Sequence, residues 1–326
     1  MTMNRFQFVN AATIDQAVRE IDEGAVFKAG GVDLLDRMKE GIATPKKLVN
    51  IRDIKSLEGI QEDGSGGLRI GPLVTLTQIG ESQLIRRRYP ALAQAADAAA
   101  TPQIRNMATA GGNLVQRPRC WYFRQTDFPC LRKGGHKCFA IDGENQYHAI
   151  FDNQICAIVH PSALAGPLVA YGAKLELSGK KARREKLLEE FFVTPAQNPF
   201  AENDLQAGEL ITSIALPAPA AGTVSAYTKQ KEKESFDWPI AGVAVVMSMS
   251  GNRCSSAALV LEAAAPTPWR AKSAEAVLKG SEINENTARA AAKAAMNGAT
   301  PLSLNGYKLP VFEAVVRRTI LNAAKA

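Results

Sequence analysis

Four of the five cysteines in this 326-residue chain lie in one irregular segment, and no other feature constrains the fold as strongly. Between residues 117 and 157, prolines, glycines, basic residues and aromatic residues replace any regular periodicity. Such a composition predicts an ordered loop that something other than a backbone ladder holds in place. We also find no secretory signal, which argues against a disulfide framework, so the cluster predicts a metal site. Its members are Cys120, Cys130, Cys138 and Cys156.

The cysteine spacing narrows the kind of metal site. Nine, seven and seventeen residues separate consecutive members, so the segment contains no CxxC pair. Neither a zinc ribbon nor the bacterial ferredoxin pattern fits this spacing. Four thiolates nevertheless suit a [4Fe–4S] cluster, which four cysteines complete. Zinc is the alternative metal, with His136 or His148 as substitute ligands, and separately buried thiols are the interpretation without a metal.

One pair of glycines lies just before the cysteine segment. Gly111 and Gly112 stand between the small polar residues Thr109 and Asn113. Glycine lets backbone N–H groups approach a ligand that side chains would exclude. This stretch therefore predicts a ligand-binding loop that leads directly into the thiol cluster.

A second pair, Gly30 and Gly31, separates a predicted short strand from a predicted helix that ends near Gly41. A strand, a glycine pair and a helix point backbone N–H groups and a helix N-terminus at a phosphate. The pattern matches neither GxGxxG nor GxxxxGK[ST], so a plain strand-to-helix turn is the alternative interpretation.

Charge and hydropathy exclude other classes of protein. The 39 Lys and Arg residues against 32 Asp and Glu residues give a net charge of +7, but the charges fall in short runs without interleaved aromatic residues. This distribution favours solvated helix faces or a subunit contact over nucleic-acid binding. The sequence has no run near 18 apolar residues, so we expect no membrane span.

The predicted elements give an α+β fold in three parts. Residues 1–56 read as a small lobe of strands and helices, and residues 57–217 as a second lobe that contains the cysteine loop at 117–157 and a helical stretch at 77–100. A linker rich in Pro, Ala and Gly at 217–222 marks the start of a C-terminal domain at 218–326. That domain is predicted to contain three strands followed by three helices.

Several segments, taken in order, resemble the FAD-binding medium subunit of the xanthine dehydrogenase, aldehyde oxidoreductase and carbon monoxide dehydrogenase family of molybdenum hydroxylases. They are FKAGGVDLLDRMK, QIRNMATAGGNL, GELITSIALP, YTKQ and NGYKLPVFEAVVRRTI. The segments RCWYFRQTDFPC, GGHKCFA and ICAIVHPS resemble the branch whose flavin subunit carries an additional [4Fe–4S] cluster. That branch includes the periplasmic aldehyde oxidoreductase and 4-hydroxybenzoyl-CoA reductase.

The resemblance implies a two-lobed FAD-binding domain of the PCMH type, followed by a C-terminal domain with a three-stranded sheet and a helical bundle. It implies that one loop holds the FAD pyrophosphate through its backbone amides. The residues of that loop are Phe27, Lys28, Ala29, Gly30, Gly31, Val32, Asp33 and Leu34.

The resemblance assigns further roles around the same cofactor. Residues on the second phosphate and the ribitol would be Thr109, Gly111, Gly112 and Asn113. Ile211 would pack on the flavin, and Lys229 would supply a positive charge that favours the anionic reduced flavin. Many relatives have Pro-Ser-Asp where this chain has Ala163 as the third residue, which removes one polar anchor for FAD. The four cysteines would bind the cluster, which would either extend the electron path or fix the loop.

The implied function is electron relay. A large subunit with the molybdenum cofactor would oxidise an aldehyde or a heteroaromatic ring, and a small subunit with [2Fe–2S] clusters would pass the electrons to FAD here and on to an external acceptor. The assembly would be a heterotrimer or a dimer of heterotrimers, cytoplasmic, or periplasmic if exported with a signal-bearing partner. The alternatives are a stand-alone flavin oxidase with a structural zinc and a non-enzymatic zinc-stabilised binding module. No catalytic residue is predicted, because the sequence contains no convincing pair of nucleophile and general base.

Overall fold

The computed structural model describes residues 3–180 and 182–325. The first lobe is a three-stranded parallel sheet in the order β1-β3-β2. Its elements are β1 (Gln7–Asn10), α1 (Ile14–Glu20), β2 (Ala25–Lys28), α2 (Val32–Lys39) and β3 (Lys47–Asn50). The strands run parallel, so their carboxyl ends lie at one edge of the sheet. Helix α2 begins at that edge, just after β2.

The second lobe is built on a five-stranded antiparallel sheet in the order β4-β5-β8-β6-β7. Its strands are β4 (Ile60–Glu62), β5 (Leu68–Ile70), β6 (Lys174–Ser178), β7 (Arg183–Leu187) and β8 (Leu210–Leu216). Its helices are α3 (Leu76–Glu81), α4 (Gln83–Arg88), α5 (Pro90–Ala98), α6 (Pro102–Met107), α7 (Ala110–Leu114), α8 (Trp121–Arg124), α9 (Phe139–Asp142), α10 (Ala165–Ala170) and α11 (Leu188–Phe191).

The helical stretch predicted at 77–100 consists of three short helices. Ser82 has extended backbone angles, and its side chain accepts a hydrogen bond from the N–H of Ile85, so it ends α3 and caps α4. Tyr89 precedes Pro90, and a residue before proline is disfavoured in the helical region. The single predicted segment is therefore wrong in its continuity, although its residues are largely helical.

The C-terminal domain is an antiparallel sheet covered by helices. Three long strands, β9 (Thr223–Gln230), β10 (Ala241–Ser250) and β11 (Arg253–Glu262), confirm the predicted sheet, and the two-residue β12 (Trp269–Arg270) adds an edge strand. The helices are α12 (Lys272–Leu278), α13 (Glu285–Ala295) and α14 (Lys308–Ala324). The α+β class is thus confirmed. Across the part of the chain that the structure describes, none of the helices combines the length and apolarity that a bilayer crossing requires.

The cysteine loop is anchored on the C-terminal domain. The backbone N–H groups of Ile150 and Phe151 donate to the carbonyl oxygen of Ala264 at 2.8 and 3.1 Å. The ring of Phe151 stacks on Trp269 with 4.6 Å between centroids. Buried apolar area of this kind contributes about 25 cal/mol per Å². The irregular loop is therefore held by packing and hydrogen bonds from a neighbouring domain.

Candidate functional site

A cavity of about 740 Å³ lies between the two lobes and the C-terminal domain. Its walls come from the β2–α2 turn, the start of α7, strand β8 and strand β9. The volume lies in the usual range for a pocket that takes a large organic ligand. The structure brings every residue predicted to bind FAD to this one cavity. These are Phe27, Lys28, Ala29, Gly30, Gly31, Val32, Asp33, Leu34, Thr109, Gly111, Gly112, Asn113, Ile211 and Lys229.

The two glycines of the β2–α2 turn are required for different structural reasons. Gly31 precedes α2 with φ +80°, a left-handed conformation that favours glycine. A side chain at Gly30 would overlap the backbone carbonyl of Met107, at the end of α6 in the second lobe. Gly30 therefore lets the two lobes approach each other, whereas Gly31 lets the chain turn into α2.

The N-terminus of α2 opens into the cavity. The N–H of Leu35 donates to the carbonyl of Gly31 at 2.9 Å, so the amides of the three preceding helical residues have no acceptor within the helix. Val32, Asp33 and Leu34 line the cavity. Unpaired amides and the helix dipole together favour an anion at this position.

The side chain of Asp33 is committed to arginines. It forms ion pairs with Arg37 at 3.0 Å, Arg119 at 3.2 Å and Arg124 at 2.6 Å. Burial disfavours its charged form, but the three guanidinium groups outweigh that effect and hold the pKa of Asp33 below its ordinary value. Asp33 is consequently an ionised carboxylate whose charge is compensated by arginines. Through Arg119 and Arg124, the same ion pairs connect the start of the cysteine loop to α2.

The second glycine pair shapes the wall of the cavity through its own hydrogen bonds. The Gly111 N–H donates to the carbonyl of Pro72 at 2.9 Å, and the Gly112 N–H donates to Thr109 Oγ1 at 3.2 Å. Asn113 Oδ1 accepts from Ser162 Oγ at 2.7 Å. The amides that the sequence assigns to ligand binding are therefore already paired, and these residues fix the start of α7 against the sheet.

Thr109→Ala is expected to lower the free energy of unfolding by about 1 kcal/mol, because it removes the N-cap of α7. Thr109→Ser keeps the hydroxyl and should stay close to the wild type. Urea unfolding followed by circular dichroism measures the difference. Equal losses in both variants would show that the methyl group of Thr109, and not the cap, is what matters.

The two residues predicted to lie beside the flavin also line the cavity. Ile211 is buried in β8, and Lys229 extends from β9 to donate to the carbonyl of Ala98 at 3.0 Å. Burial, followed by the charge of Lys231, lowers the pKa of Lys229 to about 8. At neutral pH Lys229 therefore still carries most of its positive charge.

Three elements of the cavity were missed in the sequence. Tyr227 comes from β9 and Glu262 from β11, the two strands that flank β10 in the C-terminal sheet. The β9–β10 loop contributes Trp238, which is 52% exposed. The guanidinium of Arg119 lies 5.1 Å from the Trp238 ring centroid. The exposed aromatic residues of this loop, in the run SFDWP, were the available signal. Glu262 was visible only as a lone acid in an apolar run.

His160 also lines the cavity and is buried. Its Nδ1 accepts from the Ser162 N–H at 3.3 Å, and its ring meets Phe192 edge-on at 4.5 Å. Burial, and then the charge of Arg132, lower the pKa of His160 to about 3. It is a neutral packing residue in this structure.

The four predicted metal ligands come into one neighbourhood. The thiols of Cys138 and Cys156 interact, and this interaction lowers the pKa of Cys138 and raises that of Cys156. Burial, with added repulsion from the sulfurs of Cys138 and Cys130, raises the pKa of Cys120 to about 12. The Cys120 sulfur also lies 3.2 Å from His148 Nε2.

The sulfurs are not gathered as ligands of a single ion. Over residues 3–180 and 182–325, no group of three or more His, Cys, Asp or Glu side chains is arranged to hold one metal ion. Tetrahedral zinc needs its ligand atoms about 3.8 Å apart, given bonds of about 2.3 Å. A [4Fe–4S] cluster is held at four separate iron atoms, so its cysteines stand farther apart.

A buried excess of positive charge lies beside these cysteines. Arg132, whose side chain is 1% exposed, pairs with Glu202 at 2.5 Å, and Arg117 pairs with the other oxygen of the same carboxylate at 2.8 Å. Within the described residues, Nε and Nη2 of Arg132 are buried and make no hydrogen bond. The charge of Arg132 also favours the thiolate of Cys156. Unpaired donors on a buried cation fit an anionic group such as a thiolate-bound cluster.

Comparison with known proteins identifies two family domains that together cover most of the chain. The FAD binding domain in molybdopterin dehydrogenase matches residues 4–219, and the CO dehydrogenase flavoprotein C-terminal domain matches residues 225–323. The aldehyde oxidoreductase FAD-binding subunit PaoB of Escherichia coli strain K12 is 35% identical, over 88% of this chain and 87% of its own length. The carbon monoxide dehydrogenase medium chain of Hydrogenophaga pseudoflava is 32% identical, over 99% and 98%.

The fold agrees with solved structures. A carbon monoxide dehydrogenase from Hydrogenophaga pseudoflava, which lacks the Mo-pyranopterin moiety of its molybdenum cofactor, superposes with a TM-score of 0.77 at 31% identity and covers 100% of this chain and 99% of its own. The two matched domains together span nearly the full sequence. This chain therefore belongs to the FAD-binding subunits of the xanthine dehydrogenase and carbon monoxide dehydrogenase family of molybdenum hydroxylases.

Proposed function

We propose that this chain is the FAD- and [4Fe–4S]-carrying electron-transfer subunit of a molybdenum hydroxylase. It would receive electrons from a [2Fe–2S] subunit and deliver them through FAD to an external acceptor. The observation that carries the proposal is that one cavity gathers all the residues predicted to bind flavin, together with Arg119, which directly precedes the first of the four cysteines. FAD supplies the exchange between one-electron and two-electron carriers.

The residues around the cavity have distinct tasks in this proposal. The free amides at the start of α2 would bind the pyrophosphate, and Gly31 gives them their direction. Residues 109–113 would form the wall against the second phosphate and the ribitol. Ile211 would cover an apolar face of the flavin, and the charge of Lys229 would favour the reduced, negatively charged form of the cofactor.

The cysteine cluster fits a [4Fe–4S] group better than zinc. Neighbouring sulfurs help to raise the pKa values of Cys120 and Cys156. The four cysteines nevertheless do not form a site for a single ion. The unpaired donors of Arg132 favour an anionic occupant. A structural zinc in a stand-alone flavin oxidase is the competing interpretation, and metal analysis separates the two.

The substrate belongs to a partner subunit. The most similar relatives described above are named as aldehyde oxidoreductase and carbon monoxide dehydrogenase subunits. We propose an aldehyde or a heteroaromatic compound as the substrate class, oxidised on a large subunit with the molybdenum cofactor. The assembly would contain one [2Fe–2S] subunit and one large subunit for each copy of this chain. Within this chain, we propose functional units at residues 1–56, 57–217 and 218–326.

The test is the content of iron, acid-labile sulfide, zinc and FAD in anaerobically purified protein. We expect about four irons and four sulfides per FAD in the wild type, because four cysteines complete one [4Fe–4S] cluster. Cys138→Ser should lose most of the iron and sulfide. Cys254→Ser is the control, because Cys254 is also a free cysteine but lies outside the loop, buried in β11, where it donates to the carbonyl of Ser256.

Each outcome decides between the interpretations. Iron that falls in Cys138→Ser but not in Cys254→Ser supports the relay subunit. Zinc in place of iron, with FAD present, supports the flavin oxidase with a structural metal. A protein that binds neither flavin nor iron contradicts the proposed function altogether.

A further inference from the structure

A buried carboxyl group forms part of the inner wall of the flavin cavity. Glu262, at the end of β11, lines the cavity and is 5% exposed. Its Oε2 accepts from the Tyr227 hydroxyl at 2.6 Å, and its Oε1 accepts from the Gly166 N–H at 3.0 Å. The group thus joins two strands of the C-terminal sheet to the first turn of α10 in the second lobe.

Two glycines provide the space for this carboxyl group. A side chain at Gly166 would overlap Glu262 Oε1, and a Cβ at Gly242 would lie 3.0 Å from Oε2 and 3.2 Å from the Tyr227 hydroxyl. Neither glycine has a positive φ, so the backbone does not require glycine there. The Glu262 carboxyl group occupies the space that these glycines leave, so the surrounding structure is shaped to hold it.

Glu262 differs in its partners from Asp33 and Glu209, two other acids that line the cavity. Asp33 and Glu209 are paired with arginines, whereas both hydrogen-bond donors to Glu262 are neutral. The groups that face it are Tyr227 and Lys229 from β9 and a backbone amide from α10, and β10 presents only Gly242. Burial raises the pKa of Glu262 to about 8, although its two hydrogen bonds and the charge of Lys229 act in the opposite direction.

We propose that Glu262 is a positioning residue that holds a proton at the flavin cavity and makes the reduction potential of bound FAD depend on pH. The inference rests on the proposed FAD binding in this cavity. When Glu262 is protonated, it adds no charge beside the cofactor. When it loses the proton, it places a negative charge in a poorly solvated wall, where Coulomb interactions are several times stronger than in water. That charge opposes the gain of negative charge on reduction and offsets the effect of Lys229.

The test is the reduction potential of FAD bound to the full chain, measured by spectroelectrochemistry between about pH 6 and about pH 9. Wild type is compared with Glu262→Gln, which retains an amide oxygen for the Gly166 N–H. We expect the two proteins to agree at the acid end. At the alkaline end and a fixed applied potential, the ratio of oxidised to reduced flavin should be about tenfold higher in the wild type.

Tyr227→Phe provides an independent check. This substitution removes one hydrogen bond that stabilises the carboxylate, so Glu262 should lose its proton at a higher pH than in the wild type. The fall in reduction potential caused by that charge should therefore begin at a higher pH in the variant. This variant keeps Glu262 and remains informative if the glutamine variant does not fold. A pH profile unchanged in Tyr227→Phe argues against the proposal.

A second readout uses the FAD-free protein. The pKa of Glu262 is raised in the folded state, so its contribution to stability is complete below its ordinary pKa and is lost as the pH rises through about 8. The wild type should therefore lose stability relative to Glu262→Gln between about pH 5 and about pH 9. A residue that only joins the domains would give a difference that does not change with pH.

The outcomes separate this inference from the proposed function. Curves that coincide in acid and diverge in alkali support the role of Glu262. Curves that stay parallel or coincide over the whole range overturn it, even though FAD is bound. Failure of the wild-type chain to bind FAD contradicts the proposed function itself.

Discussion

Replacing Glu202 by glutamine is expected to lower the free energy of unfolding by about 3–5 kcal/mol, the usual cost of leaving a buried charge without its partner. Glu202 is 3% exposed and is the one carboxylate between Arg117 and Arg132 in their ion pairs. Its loss leaves the buried Arg132 guanidinium beside the partly exposed Arg117 guanidinium without the carboxylate they share. Urea unfolding of the wild type and the variant, at matched ionic strength, measures the effect.

Glu234→Gln is the control for Glu202→Gln. Glu234 also pairs with a basic residue, Lys231 at 3.7 Å, but its side chain is fully exposed. Solvent screens such a pair, so we expect little change in its unfolding curve. If Glu202→Gln behaves like the control, Arg132 does not carry an uncompensated charge, and the argument for an anion beside it fails.

Gly30→Ala is expected to weaken FAD binding by roughly 5-fold to 150-fold, because overpacking typically costs 1–3 kcal/mol. The added methyl group would overlap the carbonyl of Met107, and a backbone atom cannot rotate away. The first lobe must therefore move from the second, and the cavity lies between them. Fluorescence titration of the flavin-free protein with FAD measures the affinity.

Gly64→Ala is the matched control for Gly30→Ala. A Cβ at Gly64 meets no atom within 4 Å, and its φ is not positive. Both substitutions reduce the entropy of the unfolded chain similarly, so their difference isolates the contact between the lobes. Unchanged affinity in Gly30→Ala would contradict the view that this glycine sets the distance between the lobes.

The ion pairs on α2 connect the cysteine loop to the helix that opens into the cavity. Arg124 reaches Asp33 at 2.6 Å and Glu40 at 3.1 Å, and Arg119 reaches Asp36 at 2.8 Å. These arginines flank Cys120, while the acids lie on the helix whose N-terminus faces the flavin cavity. One charged network therefore links the start of the cysteine loop to the helix whose N-terminus opens into the cavity.

Local patterns predicted the elements around the β2–α2 turn. The apolar pair before Gly30, the glycine with a left-handed backbone and the amphipathic residues after it are interactions between near neighbours, so the sequence carries them directly. The concentration of cysteines within one loop is likewise visible without a structure. The family resemblance extended these local patterns to a fold class and a cavity lining.

Contacts between distant residues could not be predicted in this way. The overlap that excludes a side chain at Gly30 involves Met107, and the acceptor of the Gly111 N–H is the carbonyl of Pro72. The sequence marks both glycines as sites of close approach but does not say what approaches. For that reason the sequence did not reveal that the Gly111 and Gly112 amides have hydrogen-bond partners within the chain.

The sequence by itself determined the α+β class, the turn that opens α2 into a cavity and the gathering of four thiols in one loop, because these follow from side-chain type and short-range spacing. Only the tertiary structure decided which charges face one another. Glu202 lies between two arginines, and Glu262 lies beside Tyr227. In both cases the partners are distant in the sequence. The ionisation of Glu262 depends on its burial and on these distant partners, and neither can be read from the residues next to it in the sequence.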